Sequence, residues 1–119
     1  MKRFWPFGVD LALVVVFCAI GRRSHDEAVL TGLLKTVWPF AIGLIVGWVL
    51  VVAVAKVVPT ALVPGGVIIW ASTLVGGMLL RVVSGQGTAV SFIIVAATVL
   101  AVFLLGWRAL LLLKSSAAA

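Results

Sequence analysis

The sequence is poor in the side chains that carry out catalysis or bind metals. Its 119 residues include one cysteine, Cys18, one histidine, His25, and three acidic residues. A single cysteine leaves no partner for a disulfide within the chain, and one histidine does not complete a zinc site or the usual pair of haem ligands. The sequence also offers no nucleophile beside a base and no paired carboxylates. We therefore expect a protein that is not an enzyme and that holds no metal and no cofactor.

Charged residues are scarce as well, at 10% of the chain against roughly 25% in soluble domains. Hydrophobic residues make up 65%, and the mean hydropathy is +1.38. A soluble core of this size does not absorb that much apolar surface, whereas a bilayer does. The net charge of +6 does not indicate a partner nucleic acid, because the nine basic residues are scattered among the ends of apolar segments rather than clustered on one face.

Four apolar segments, at about residues 4–20, 37–57, 67–83 and 88–113, predict four membrane spans. Short connections between them predict an all-α, polytopic up-down bundle of four transmembrane helices in one domain, residues 1–119. The second helix is predicted to begin near residue 25, because Ser24 and Glu27 fit a capping box, and to kink at Pro39. The first segment resembles a secretory signal, but Asp10 interrupts it and no small-residue cleavage site follows, so we expect it to remain as a span.

Asp10 is the most costly residue of the predicted spans, because a carboxylate in hydrocarbon must be paired, hydrated or protonated. Asp10 and Arg108 lie six and five residues inside their segments, so both are predicted about 8 to 9 Å deep on the same side of the membrane. We expect an ion pair between them. Such a pair would either join the first span to the fourth, which we favour, or couple the movement of a proton or ion.

A second group of polar residues is predicted at the opposite membrane face. A basic pocket is expected there, with a wall formed by Trp38, and its members are Arg22, Arg23, His25, Arg81 and Gln86. One interpretation is a site for a phosphate, a carboxylate or a lipid headgroup. The other, which we favour, is that the arginines anchor the chain at the interface, satisfied by Asp26, Glu27 and lipid phosphate.

Gly43 and Gly47 form a GxxxG pattern that allows close packing of another helix, from the same chain or from a second copy. The tryptophans are expected to differ in role. An aromatic belt is predicted from Trp5, Trp70 and Trp107 near one membrane face and Trp38 near the other, whereas Trp48 lies mid-segment and needs a partner for its indole N–H in the bundle interior.

Several of these stretches together resemble a known family. They are Asp10 with the apolar run into Phe17, Gly21-Arg22-Arg23-Ser24-His25, Trp38-Pro39-Phe40, Gly85-Gln86-Gly87-Thr88 and Gly106-Trp107-Arg108. The chain resembles the uncharacterised bacterial membrane family named domain of unknown function 3054. The resemblance implies four membrane helices, a multi-pass location in the bacterial cytoplasmic (inner) membrane and no assigned activity.

Two functions are compared from the sequence, and a lipid- or headgroup-binding protein is a third. The favoured one is a non-enzymatic accessory or scaffold protein that contacts membrane lipids and packs in a membrane assembly, as a homo-oligomer or as a subunit of a larger complex. The alternative is an oligomeric transporter or channel for a small solute or ion, with Arg22, Arg23, His25 and Arg81 as an anion site. Orientation is not predicted, because basic residues divide five to four between the two sides.

Overall fold

The computed structural model describes the backbone of residues 5–22, 29–86 and 90–118 and the side chains of residues 5–20, 34–86 and 90–114. The described chain is all-α. It comprises five helices, named here α1 to α5: α1 (Trp5–Arg22), α2 (Val29–Val49), α3 (Val67–Val83), α4 (Val90–Leu100) and α5 (Gly106–Ala118). Three π turns adjoin them, at Leu50–Val54, Leu62–Gly66 and Ala101–Leu105.

Three of the resulting helices are long and apolar enough to cross a membrane: Leu34–Val54, Leu62–Val83 and Val90–Lys114. The third consists of α4, the last π turn and the first part of α5 in one continuous helix. The apolar helix Trp5–Ile20 is shorter. The chain thus has the helices expected of a membrane protein, while a crossing by the first helix stays a prediction.

The bounds differ from the predicted ones at the second connection. Helical structure ends at Val54 rather than near residue 57, and Lys56 adopts a left-handed backbone conformation with φ 55°. Helical hydrogen bonding resumes at Leu62, within the predicted loop, but Val63 has an extended backbone (φ −130°, ψ 129°), so the regular helix follows that residue. The helix start predicted near residue 25 lies outside the described residues. α2 is described from Val29 and contains Pro39 in its interior, where the kink stays a prediction.

The core lies where α1, α2 and α3 meet the continuous helix formed by α4, the last π turn and α5. Its fully buried side chains are large and apolar, among them Val14, Phe40, Leu44, Ile69 and Leu100. Many other apolar side chains of the same helices lie exposed, such as Val75, Val90 and Leu110. Helices that are apolar on all sides are typical of a bilayer environment, since lipid is as apolar as the core.

Candidate functional site

The main polar feature of the core is a pair of opposite charges from the two ends of the chain. Asp10 lies on α1 and Arg108 on α5, and both side chains are buried, with 0% and 1% of their surface exposed. Arg108 donates from Nη2 to Asp10 Oδ2 at 2.6 Å and from Nη1 to Oδ1 at 2.8 Å. This two-point arrangement is the strong form of an arginine–carboxylate contact, because two parallel charge-assisted hydrogen bonds fix both groups.

Two tryptophans complete the surroundings of the carboxylate. Trp48 on α2 donates its indole N–H to Asp10 Oδ2 at 2.8 Å, and Trp107 on α5 donates to Oδ1, also at 2.8 Å. Each carboxylate oxygen therefore accepts two hydrogen bonds. A carboxylate offers about four lone-pair directions, so the accepting capacity of Asp10 is used within the chain.

Arg108 is held by backbone carbonyls as well as by Asp10. Its Nε donates to the carbonyl oxygen of Pro59 at 2.8 Å, and Nη1 also donates to that of Leu104 at 2.9 Å. The guanidinium carbon lies 4.7 Å from the centre of the Trp107 ring, within cation–π range. A Cβ at Gly66 would lie 2.7 Å from Arg108 Cδ, so glycine makes room for the arginine stem. We call Asp10, Trp48, Trp107 and Arg108, with the carbonyls of Pro59 and Leu104, the Asp10 cluster.

The three π turns lie beside residues of this cluster in the sequence, or contain Gly66, which packs against Arg108. The first begins two residues after Trp48, the second ends at Gly66, and the third contains Leu104. A π turn adds a residue to a helical turn and so rotates the side chains that follow. The positions of Trp107 and Arg108 around the helix axis therefore depend on the third π turn, whereas those of Asp10 and Trp48 do not.

The chemistry open to the Asp10 cluster is limited by its own hydrogen bonds. No buried side-chain nitrogen or oxygen within the described residues lacks a hydrogen-bond partner. The same part of the chain contains no group of three metal-ligating side chains. The cluster is thus a satisfied ion pair that joins α1, α2, the connection at Pro59 and α5.

At the opposite end of the bundle the structure brings together part of the predicted basic pocket. Arg81, in the last turn of α3, donates from Nη1 to Gln86 Oε1 at 3.1 Å. Gln86 Nε2 in turn donates to the carbonyl oxygen of Lys35 on α2 at 3.2 Å. Arg23, His25 and the side chain of Arg22 lie outside the described residues, so their place relative to Arg81 stays a prediction.

The guanidinium of Arg81 also lies over an aromatic ring. Its carbon is 4.5 Å from the centre of the Phe92 ring, near the start of α4. Phe92 packs in turn against Phe17 of α1 and Phe40 of α2, with ring centres 6.4 Å away in both cases. Arg81 therefore sits at the end of an aromatic cluster that no feature of the sequence singled out.

Gly43 and Gly47 both pack against α3 of the same chain. A Cβ at Gly43 would lie 2.9 Å from the carbonyl oxygens of Ser72 and Thr73, and one at Gly47 would lie 3.0 Å from Ser72 Cβ. Ser72 Oγ donates to the carbonyl oxygen of Gly43 at 2.9 Å across this contact. The two glycines therefore make room for α3 of the same chain, which is one of the two partners that the sequence left open, and a contact with a second copy stays a prediction.

Several tryptophans donate their indole N–H within the chain. Trp107 and Trp70, both predicted in the interfacial belt, donate to Asp10 and to the carbonyl oxygen of Ala97 (3.0 Å), and their position in a belt stays a prediction. Trp48, expected to need an interior partner, also binds Asp10. No sequence pattern distinguishes a tryptophan that anchors a helix at the interface from one that donates its N–H to a carboxylate inside the bundle.

The sequence profile of one protein family matches residues 7–111, which include all four side chains of the Asp10 cluster. The family is described as "Protein of unknown function (DUF3054)". The chain belongs to this family. The match confirms the resemblance seen in the sequence, and the DUF3054 description carries no activity. Comparison with curated proteins and with solved structures gave no match.

Proposed function

We propose that the chain is a multi-pass protein of the bacterial cytoplasmic membrane, with four helices in an up-down bundle, and that it acts as a non-enzymatic accessory or scaffold protein in a membrane assembly. In this proposal the Asp10 cluster has a structural role. It holds the first and last helices together and fixes the connection at Pro59 against them.

The observation that carries the proposal is that both oxygens of the Asp10 carboxylate already accept two hydrogen bonds each within the chain. A residue that couples transport must exchange its partners, because it takes up and releases a proton or an ion during the cycle. Asp10 accepts four hydrogen bonds, two from Arg108 and one each from Trp48 and Trp107. Exchange would require the loss of several charge-assisted bonds inside the bundle, which favours a fixed structural pair.

The other polar side chains of the spans support the same conclusion. A conducting path needs hydrogen-bonding groups along it. Ser72 Oγ binds the Gly43 carbonyl, and Thr73 Oγ1 binds the Ile69 carbonyl at 2.7 Å. Ser91 and Thr98 are exposed on the outside of α4 instead of facing these residues. The polar residues are therefore distributed without a common lining within the described chain.

The alternative is an oligomeric transporter or channel for an anion or small solute, with its site at Arg22, Arg23, His25 and Arg81. The observation in its favour is the position of Arg81 beside Gln86, which collects donors at one end of the bundle. Gly43 and Gly47 pack against α3 of the same chain, so the contact between copies stays a prediction.

Reconstitution separates the two functions. We expect vesicles that contain the purified protein to show no flux of chloride, phosphate, protons or sodium above that of empty vesicles. We also expect the protein to be purified from its native membrane with one partner, or a second copy, in fixed stoichiometry. Flux that is lost in Arg81→Gln but retained in Lys35→Gln would overturn the scaffold proposal in favour of the anion transporter.

A further inference from the structure

A cleft of about 380 Å³ lies between α1 and α4 at the Arg81 end of the bundle. Phe17 and Ile20 form its α1 side, and Ser91, Phe92, Val95 and Val99 form its α4 side. Apart from Ser91, every lining side chain is apolar. The cleft therefore fits a hydrocarbon chain rather than a polar solute.

The cleft follows the axis of α4. Ser91, Val95 and Val99 are spaced four residues apart, which places them along one face of the helix. Eight residues at about 1.5 Å each give a length of roughly 12 Å, and one leaflet of a bilayer contributes about half of a 30 Å hydrocarbon core. A chain lying in the cleft would thus run from the membrane surface towards the middle of the bilayer.

The charge at the outer end of the cleft indicates the class of lipid. Phe92 lines the cleft and also lies under the guanidinium of Arg81, whose carbon is 4.5 Å from the ring centre. Arg81 is in the last turn of α3, so its charge lies at the end of a predicted span. A negatively charged headgroup above the cleft would face this guanidinium and the hydroxyl of Ser91, whereas a zwitterionic headgroup would gain less from the same charge.

The geometry points to a binding site for an anionic phospholipid, with one acyl chain in the cleft between α1 and α4 and the phosphate at Arg81 and Ser91. The inference rests on the membrane location proposed above, but not on the choice between scaffold and transporter. It assigns a ligand to the basic end of the bundle and adds an acyl-chain subsite that the basic residues alone do not predict.

Native mass spectrometry tests the site. The intact protein is released from nanodiscs that contain equal amounts of phosphatidylglycerol and phosphatidylcholine with identical acyl chains, and the retained lipid is counted. We expect one phosphatidylglycerol to be retained in preference to phosphatidylcholine. In Val95→Trp the bulky ring fills the cleft, so retention of both lipids should fall about tenfold. Val75→Trp is the matched control, because Val75 is also exposed, at 56% against 53%, but does not line the cleft.

Charge variants test the headgroup position. Arg81→Gln should lower the preference for phosphatidylglycerol about fivefold, because the cation that lies over the cleft residue Phe92 is lost. Arg81→Lys should keep most of it, and Lys35→Gln, which removes an exposed charge from the same end, should leave it unchanged. Helix content measured by circular dichroism identifies a variant that fails to fold, and Ile20→Trp then replaces Val95→Trp as the cleft-filling variant.

Equal retention by Val95→Trp and Val75→Trp in folded protein would overturn the acyl-chain subsite. Equal preference in Arg81→Gln and Lys35→Gln would overturn the headgroup position. The flux measurement on the same preparations reports independently on the proposed function, so transport activity with intact lipid selectivity would overturn only the scaffold role.

Discussion

Asp10 and Arg108 are 98 residues apart in the sequence, and their side chains meet through two hydrogen bonds of 2.6 and 2.8 Å in the core of the bundle. The pair forms a link between the first and last described helices. Loss of either partner leaves the other charge buried and unpaired, which costs about 3 to 5 kcal/mol in proteins. Stability measurements on variants of the pair therefore report on its role.

We expect Asp10→Asn and Arg108→Gln each to lower the free energy of unfolding by about 3 to 5 kcal/mol, as measured by denaturant titration in mixed micelles. The double variant should recover much of that loss, because no unpaired charge remains. Lys35→Gln, an exposed change of the same kind, should alter it by less than about 0.5 kcal/mol. A double variant no more stable than the worse single one would refute the pairing as the source of the loss.

The depth of the two charges could be argued from the sequence alone, because counting residues from the ends of apolar segments gives position along a helix. The direction in which each side chain points around the helix axis could not be argued in this way. These helices are apolar on nearly all sides, so no polar stripe indicates which face points inward. Each π turn also shifts the rotation of the residues after it, and nothing in the composition of residues 101–105 marks that turn. The contact of Trp107 with the ion pair depends on this rotation, and those of Pro59 and Gly66 depend on how the second connection packs, so the sequence did not predict them.

In the basic pocket, the sequence predicted a contact within one segment but not a contact between helices. The sequence grouped Arg81 and Gln86 because both follow the third span, and their hydrogen bond depends only on five residues of separation. The stacking of Arg81 on Phe92 joins α3 to α4 and depends on packing between helices. Local spacing predicts the first kind of contact but not the second.

Trp48→Phe should weaken the Asp10 cluster without changing its charges. The ring keeps its edge-on contact with Phe7, whose centre is 5.6 Å away, while Asp10 Oδ2 loses one donor. We expect a loss of about 1 to 2 kcal/mol in the free energy of unfolding. Trp38→Phe is the control, because Trp38 is 39% exposed and lies ten residues before Trp48 in α2. Equal effects of the two changes would indicate that the loss comes from the ring and not from the N–H.

Gly43→Ala should separate α2 from α3. Its added methyl group would lie 2.9 Å from two backbone carbonyl oxygens of α3, and backbone does not move aside as a flexible side chain does. We expect destabilisation of about 1 to 3 kcal/mol in the same unfolding assay. Gly8→Ala meets nothing within 4 Å, so it should be neutral or stabilising by up to about 1 kcal/mol. If Gly43→Ala changed the oligomeric state and left unfolding unaltered, the glycine would serve a contact between copies instead.

Labelling of single cysteines tests the crossing by the helix Val90–Lys114. Cys18 is almost fully buried, with 1% of its surface exposed, and Cys18→Ala provides a background without thiols. In that background Ser84→Cys and Lys114→Cys place exposed thiols before and after the helix. A maleimide that does not cross membranes should label one of them in intact cells and the other only after permeabilisation. Labelling of both from the same side would contradict the up-down bundle.

The long sequence separation within the Asp10 cluster has a consequence for biogenesis. A ribosome makes Asp10 first and Arg108 98 residues later, so the nascent chain must carry an unpaired carboxylate while the intervening helices are inserted. During that interval neither Trp107 nor Arg108 is available to the carboxylate. Completion of the last helix supplies the countercharge, so premature termination before residue 108 would leave a membrane product with an unpaired carboxylate, open to quality-control proteases.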